Sequence, residues 1–215
     1  MHSPVDRDAL PDVFCWTRFG PEAGEAIDAI VARKEAERSG GGGTFYWGIG
    51  SAVGRSIEAL VAEVRQPELL FSPIAGTPRQ VDVNPGHVVR WSRGRTVSGE
   101  SILLPRHARI TSRWDPVRPH TARYALVCAS DEPLQLGDHG CVNFGALRNF
   151  VSGAPLGASQ VTAVVRRDLT MPTAGRQYQV AMRVRLAWPY VLRLEAPDVA
   201  DCGAGAGQQH LPLAV

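Results

Sequence analysis

Long hydrophobic runs are missing from this chain of 215 residues. No apolar stretch approaches the roughly 20 residues that a membrane-spanning helix needs. The opening segment MHSPVDRDALPD is acidic and contains prolines, whereas a secretory signal is basic and then apolar. The four cysteines form no C-x-x-C pair and are too few for a disulfide framework in a chain of this length. We therefore expect a soluble protein in a reducing, cytoplasmic compartment, with no membrane partner.

Lysine is almost absent as well. Of the 23 basic residues only Lys34 is a lysine, and a GC-rich genome explains a preference for arginine without any functional reason. The distribution of the arginines is nevertheless uneven, because residues 70–125 contain 9 basic and 3 acidic side chains, whereas residues 1–69 contain 7 and 11. A basic segment in an otherwise acidic or neutral chain is typical of a protein that binds a polyanion.

The first 43 residues have the pattern of an arm with one helix. After an irregular start, residues 21–38 begin with a proline, have acidic residues early and end with Lys34 and Arg38, which is typical of a helix. The glycines at 40–43 end that helix and predict a flexible hinge. We therefore predict an N-terminal helical arm over residues 1–43.

From residue 44 the pattern changes to short strands that proline and glycine separate. A short aromatic strand, TFYW, precedes a glycine-rich turn and a second helix over residues 55–65, whose apolar positions follow the helical period. In the last strand apolar side chains alternate with Arg183 and Arg185, which indicates one buried and one wet face. The further candidate strands are LLFSPI, HVVRW, SILLP, ARITSR, RYALVCAS, SQVTAVVRR and YQVAMRVRLAW, and GCVNFGALRNF reads as a short helical turn.

These elements together predict an α+β fold. We expect a small curved mixed β-sheet or barrel with flanking helices over residues 44–197, followed by a flexible tail over residues 198–215.

The glycine-rich segment Gly48–Gly54 lies between a strand and a helix. Glycines before a helix N-terminus let backbone N–H groups approach an anion closely. Three known motifs are excluded. A dinucleotide fold would need an acidic residue about 20 residues further on, and the loop of nucleotide triphosphatases needs G-K-[ST]. The nucleophile elbow needs glycines two positions either side of Ser51, and the chain has none of these features. Two alternatives stay open: a tight turn, or a loop that presents Gly48, Gly50, Ser51 and the ring of Trp47 to a ligand.

The basic segment contains interleaved aromatic residues. Arginines contact phosphates in a fork geometry, and an exposed ring stacks on an unpaired base. The alternative is that the rings anchor the core while the arginines cover a solvated strand face. The candidate phosphate-binding residues are Arg106, Arg109, Arg113 and Arg118, and the candidate base-binding rings are Trp91 and Trp114.

A third polar group surrounds Asn149. Amide side chains read base edges well because each offers a donor and an acceptor, but they also cap turns. No spacing of histidine and cysteine matches a zinc site, so we expect no metal and no cofactor. No catalytic residue is identified, since His107 and His120 have no nucleophile paired with them in the sequence.

The segment TFYWGIGSAVGRSIEAL, followed by the glycine-led strand PGHVVRW, resembles the opening of the PUA-like superfamily, particularly its EVE, ASCH and YTH branches. The resemblance covers residues 44–130. It implies a small curved barrel that binds RNA or DNA, in several members by drawing a modified base into an aromatic-walled pocket.

Transferred to this chain, the resemblance implies that Trp47 and Ser51 lie at the pocket and that Trp91 lies on its wall or core side. EVE-type sequences usually carry a lysine before that serine, where this chain has Gly50. The lysine and glutamate pattern of ASCH domains is not present.

The leading hypothesis is a nucleic-acid-binding module that reads a modified or flipped base, without enzymatic activity, in a bacterial DNA modification, restriction, defence or RNA modification setting. One alternative is an enzyme acting on a nucleotide or nucleobase, with the Gly48–Gly54 loop as its phosphate site. The other is an interaction or scaffold subunit whose protein partner docks on the N-terminal helix.

Overall fold

The computed structural model describes residues 10–21, 26–50, 53–75, 88–105, 111–113, 123–170 and 175–195. Within them the protein is mostly strands in a curved, unclosed sheet, accompanied by two helices. The predicted α+β class is confirmed at this level. Neither helix, of 14 and 10 residues, has the length and hydrophobicity to cross a bilayer, and the described part of the chain contains no other α-helix.

Within the described ranges, strands and helices alternate up to residue 73, and the later elements are strands apart from one 3-10 turn. A 3-10 turn, Phe144–Ala146, lies within the segment predicted as a helical turn. In chain order the elements are β1 (Val13–Phe19), α1 (Ile27–Gly40), β2 (Thr44–Ile49), α2 (Gly54–Glu63), β3 (Glu68–Pro73), β4 (Val88–Arg90), β5 (Arg93–Arg95), β6 (Ser101–Leu103), β7 (Thr111–Arg113), β8 (Arg123–Ala129), β9 (Cys141–Asn143), β10 (Leu147–Asn149), β11 (Thr162–Arg167), β12 (Gln177–Gln179) and β13 (Met182–Leu194).

The main sheet is mixed, as predicted. Its hydrogen-bonded path runs β10-β11-β1-β3-β13, where it divides towards β5-β6 and towards β8-β2. All of its pairs are antiparallel except β1 with β3. Strand β13 makes this division possible because its register shifts between Leu186 and Val191. On one edge, its first half pairs with β3 and its second half pairs with β5. On the other edge, both halves pair with β8. Two small ribbons, β9 with β12 and β4 with β7, accompany the sheet.

Apolar clusters pack against both faces of the sheet. On one face, α1 and α2 pack the largest apolar cluster, to which they contribute Ile30, Ile57 and Leu60; we call this the helical face. On the opposite face there are two smaller clusters, one around Trp16 and the other around Trp91. The predicted alternation in β13 is confirmed, because its apolar positions 182, 184 and 186 are buried while the arginines at 183 and 185 lie on the more exposed side.

The N-terminal segment differs from its prediction. Residues 13–19, predicted as the irregular start of an arm, form β1 in the interior of the sheet, between β3 and β11. Both faces of this strand are buried, with Cys15 on the helical face and Trp16 on the other. Its sequence VFCWTRF therefore lacks the alternation of apolar and polar residues by which a strand with one exposed face is predicted. Helix α1 begins at Ile27 and also belongs to the sheet domain. The predicted tail, 198–215, lies outside the described residues.

The glycines after α1 form a tight turn and not the predicted flexible hinge. Gly42 and Gly43 have φ values of 63° and 93°, a conformation that glycine adopts without the clash of a Cβ. The N–H of Gly43 donates to the Arg38 carbonyl at 3.0 Å, and its carbonyl accepts from Ser130 N at 2.9 Å. This turn brings α1 directly back onto β2.

A buried ion pair fixes α1 against the edge of the sheet. Among the described strands β2 pairs only with β8, which leaves one edge without a neighbouring strand. Lys34, the single lysine, bonds Glu37 at 2.7 Å and donates to the Tyr46 carbonyl, while Glu37 accepts from Tyr46 N at 2.8 Å. The pair thus satisfies backbone groups that an exposed edge would leave open. Burial lowers the pKa of the Lys34 ammonium, and the charge of Glu37 opposes that shift.

Candidate functional site

The register of the sheet places two arginines side by side at one corner. Arg193 in β13 is directly opposite Tyr124 on one side and Arg95 on the other. Tyr124 is opposite Ile49, the last residue of β2, and Arg95 is opposite Ser101. Residues that are directly opposite one another project to the same face, so these five form one row across β2, β8, β13, β5 and β6. We call it the arginine row.

The arginine row lies on the helical face. Leu192 and Leu194 pack in the cluster around Trp91 on the opposite face, and side chains alternate along a strand, so Arg193 projects to the helical side. Adjacent strands are about 4.8 Å apart. The end of β2, where the glycine loop begins, therefore lies about 10 Å from the Arg193 strand.

Positive charge exceeds negative charge at this corner. Arg193 is exposed and makes no ion pair with any residue that the structure describes. Arg95 is 53 % exposed and donates to Glu195 from Nε at 3.0 Å and from Nη2 at 2.7 Å. Arg93 precedes it by two residues and is also exposed. Of the two arginines that face each other across β13 and β5, Glu195 thus pairs with Arg95 alone.

The N-terminus of α2 lies against the same corner. A methyl group at Gly54, its first residue, would be 3.6 Å from Cγ2 of Val97 in the loop between β5 and β6. The first turn of α2 contains no acidic residue, the N-cap Val53 has no capping side chain, and Arg55 is exposed. Unsatisfied N–H groups and the helix dipole make such an end positive. The corner therefore combines several sources of positive potential.

The glycines predicted at the site are located at this end of β2. Gly48 lies within the strand, opposite Ala125, and both Gly48 and Gly50 are exposed. Ser51 lies outside the described residues. The structure thus brings the start of the glycine loop close to Arg193. Arg193 is not among the site residues predicted from the sequence.

Trp47 belongs to the core. It is 8 % exposed, and its ring makes edge contacts with Phe71 and Phe19 at centroid distances of 4.6 and 5.6 Å. These contacts give the ring a packing role and do not support the predicted position beside a ligand. Trp91 is 3 % exposed, in the cluster with Leu104 and Leu192, which matches the core alternative.

Asn149 caps a turn. Its Oδ1 accepts from the N–H groups of Val151 and Ser152 at 3.1 and 3.0 Å. Its strand, β10, ends the sheet path at the side opposite β2. The neighbouring Arg148 donates to backbone carbonyls at 2.8 and 3.0 Å. These contacts favour the turn-capping alternative over base recognition.

Several predicted site residues fall where the structure gives no description. Arg113 belongs to β7, of which only the backbone is described, so its predicted role stays a prediction. The same holds for Arg106, Arg109, Trp114, Arg118, His107 and His120, which lie outside the described residues.

Buried cysteines do not supply a nucleophile. Burial raises the pKa of the Cys15 thiol to about 12 and that of Cys128 well above its ordinary value. Both side chains are therefore neutral thiols at physiological pH, and the thiolate is the reactive form. Within the described ranges, no three histidine, cysteine or acidic side chains are grouped as metal ligands.

The most exposed aromatic residue that the structure describes is not among the residues predicted for the site. Trp188 is 68 % exposed and lies in the irregular part of β13 between Leu186 and Val191. The peptide bond to Pro189 is cis, and Tyr190 has a φ of 66°. The available signal was the Trp-Pro step inside a strand, because proline interrupts a ladder of hydrogen bonds.

Comparison of the chain with protein-family models, curated proteins and solved structures finds no match in any of the three. The PUA-like resemblance therefore stays a prediction, and the function is inferred from the geometry of the site.

Proposed function

We propose that this protein binds nucleic acid through the arginine row and the adjacent N-terminus of α2. The observation that carries the proposal is the cross-strand pairing of Arg193 with Arg95. Like charges directly opposite each other destabilise a sheet, and of these two arginines Glu195 pairs with Arg95 alone, so Arg193 adds a positive charge that no described carboxylate balances. A phosphate between the two guanidinium groups would remove the repulsion and form charge-assisted hydrogen bonds.

The end of α2 supports the same ligand. Backbone N–H groups at a helix N-terminus bind phosphate oxygens, and the first turn of α2 has no acidic side chain that would compete for them. The exposed arginines around this end attract a polyanion over a distance of about a Debye length.

Trp188 supports recognition of an unpaired base. The irregular part of β13 that contains Trp188 is opposite Val127 in β8. Val127 is three residues from Tyr124, which is opposite Arg193, and three residues of a strand span about 10 Å. An exposed indole ring stacks on an unpaired base, which a duplex does not offer. We therefore propose single-stranded nucleic acid, or a flipped base, as the ligand. A reader of modified bases is the narrower form of this proposal.

The test is fluorescence anisotropy with single-stranded and duplex DNA and RNA, plain and base-modified, at about 50 and 200 mM salt, a range over which phosphate-driven affinity falls strongly. Arg193→Ala should weaken binding about tenfold and reduce the salt slope by about 1, since one phosphate contact is lost.

The matched control is Arg185→Ala. Arg185 is an exposed arginine of the same strand that pairs with Asp131 at 2.6 Å and lies in the other half of β13. Its replacement should leave binding within about twofold. The proposal fails if the wild-type protein binds none of these nucleic acids at 50 mM salt, or if both variants weaken binding equally.

A further inference from the structure

A second group of arginines surrounds an aromatic cluster on the opposite face of the sheet. The rings of Trp16, Phe144 and Tyr178 contact one another at centroid distances of 5.4 to 5.7 Å. The guanidinium carbons of Arg18 and Arg176 lie 5.6 and 4.9 Å from the centroid of the Tyr178 ring. Two cations therefore share one buried ring.

The charge of these two arginines has no counter-ion in the part of the chain that the structure describes. Arg18 is half-buried, and its partners are neutral: its Nη1 donates to the Tyr178 hydroxyl at 3.1 Å, and its Nη2 donates to the carbonyls of Ala158 and Gln160. Its buried Nε has no hydrogen-bond partner among the described residues. Arg176 is exposed, and no carboxylate of a described residue pairs with either guanidinium. A partly buried cation without an opposite charge is unfavourable.

Hydrogen-bond donors remain available at the same place. The Tyr178 oxygen accepts from Arg18, so its own hydrogen points elsewhere, and no described residue accepts it. Nη1 of Arg18 has a second hydrogen, and the Arg176 guanidinium makes no hydrogen bond with a described residue. A purely structural role for Arg18, which holds the 158–160 loop, explains neither the phenol donor nor the second guanidinium.

We propose that Arg18, Arg176 and Tyr178 form a second ligand site, which binds a phosphate group. A phosphate has several anionic oxygens that accept from the guanidinium and phenol donors together, and such charge-assisted bonds are the strong ones. The phosphate belongs to inorganic phosphate or to a nucleotide, and the experiment distinguishes these two sources. The site lies on the face opposite the arginine row and does not depend on nucleic-acid binding there.

The test is calorimetric titration of the full chain with inorganic phosphate, together with its melting temperature as a function of phosphate concentration. Tyr178→Phe keeps the ring that contacts Trp16 and Phe144 but removes the hydroxyl, and Arg176→Gln removes an exposed charge. Each should weaken phosphate binding about tenfold, the effect of losing one charge-assisted hydrogen bond. Arg185→Gln, which replaces an arginine already paired with Asp131, should leave it within twofold.

The ligand class is then identified by comparing the affinities for inorganic phosphate, a nucleoside monophosphate and acetate at equal ionic strength. Equal binding of the first two supports free phosphate, and tighter binding of the nucleotide supports a nucleotide. Acetate that binds as tightly as phosphate would overturn the proposal. So would a wild-type protein that binds no phosphate at millimolar concentration, or Tyr178→Phe and Arg176→Gln variants that fold, by circular dichroism, and bind as the wild type does.

The proposal for this phosphate site and the proposal for nucleic-acid binding at the arginine row are tested independently. Tyr178→Phe and Arg176→Gln should retain salt-sensitive nucleic-acid binding, and Arg193→Ala should retain phosphate binding at the second site. Loss of nucleic-acid binding by the wild type would therefore remove the proposed function and leave this inference standing.

Discussion

Charged side chains are paired at the junction of α1 with β2, whereas positive charge is in excess at the corner of the arginine row. At the junction, Lys34 and Glu37 are buried, bonded to each other and to the backbone of Tyr46. At the corner, Arg193 and Arg95 are exposed and directly opposite each other, with one carboxylate nearby. Charges that hold the fold together are matched group by group, whereas charges left in excess at an exposed corner are suited to a ligand.

The largest effect is expected at the junction. Lys34→Met should lower the free energy of unfolding by about 3–5 kcal/mol, because the Glu37 carboxylate would remain buried without its partner. Urea unfolding measures it. The double variant Lys34→Met/Glu37→Leu should recover part of the loss, since no charge then remains. A loss below about 1 kcal/mol in the single variant would show that the pair does not fix α1.

The next effect concerns the packing beneath the arginine row. Gly94 lies between Arg93 and Arg95, and a methyl group there would be 3.0 Å from Cβ of Leu192. Gly94→Ala should therefore cost about 1–3 kcal/mol of stability through overpacking and displace both arginines. Gly157→Ala is the control, because nothing lies within 4 Å of the added methyl group. Equal melting temperatures for the two variants would contradict this account.

A smaller effect is confined to acid pH. The bonds from Arg38, Leu134 N and Ser39 hold the pKa of Glu35 at about 2, below its ordinary 4.5. A depressed folded-state pKa adds stability that is present above pH 4.5 and is lost as the pH falls towards 2. Glu35→Gln should flatten the fall of stability between these values, measured by urea unfolding at several pH values. Parallel profiles for the wild type and Glu35→Gln across this range would contradict the account.

The smallest effect on stability is expected at Trp188. An exposed side chain contributes little to the core, so Trp188→Ala should change the free energy of unfolding by less than about 0.5 kcal/mol. Binding to single strands should nevertheless weaken by about 1–3 kcal/mol, the contribution of one stacked base. Unchanged affinity of Trp188→Ala for single strands would show that the ring does not stack on a base and that only phosphate contacts bind the ligand.

The local elements followed from the sequence where one face of an element is polar. The second helix and the alternation of β13 were predicted from periodicity, because burial on a single face leaves a regular pattern. Strand β1 was missed because both of its faces are buried, and apolar residues on both sides remove the alternation. The PUA-like resemblance implies a pocket position for Trp47, but an aromatic residue before a glycine loop has the same sequence pattern whether it is buried or exposed.

The sequence by itself determined the mixture of strands and helices, the excess of arginine in the middle of the chain and the position of the glycine loop, since each depends on residues close together along the chain. Only the tertiary structure decided which charges meet. Arg193 and Arg95 belong to distant segments that become neighbours through the register of β13 with β5, and Lys34 reaches the edge of β2 only because the glycine turn folds α1 back. Cross-strand register is set by packing over the whole sheet, and local sequence does not encode it.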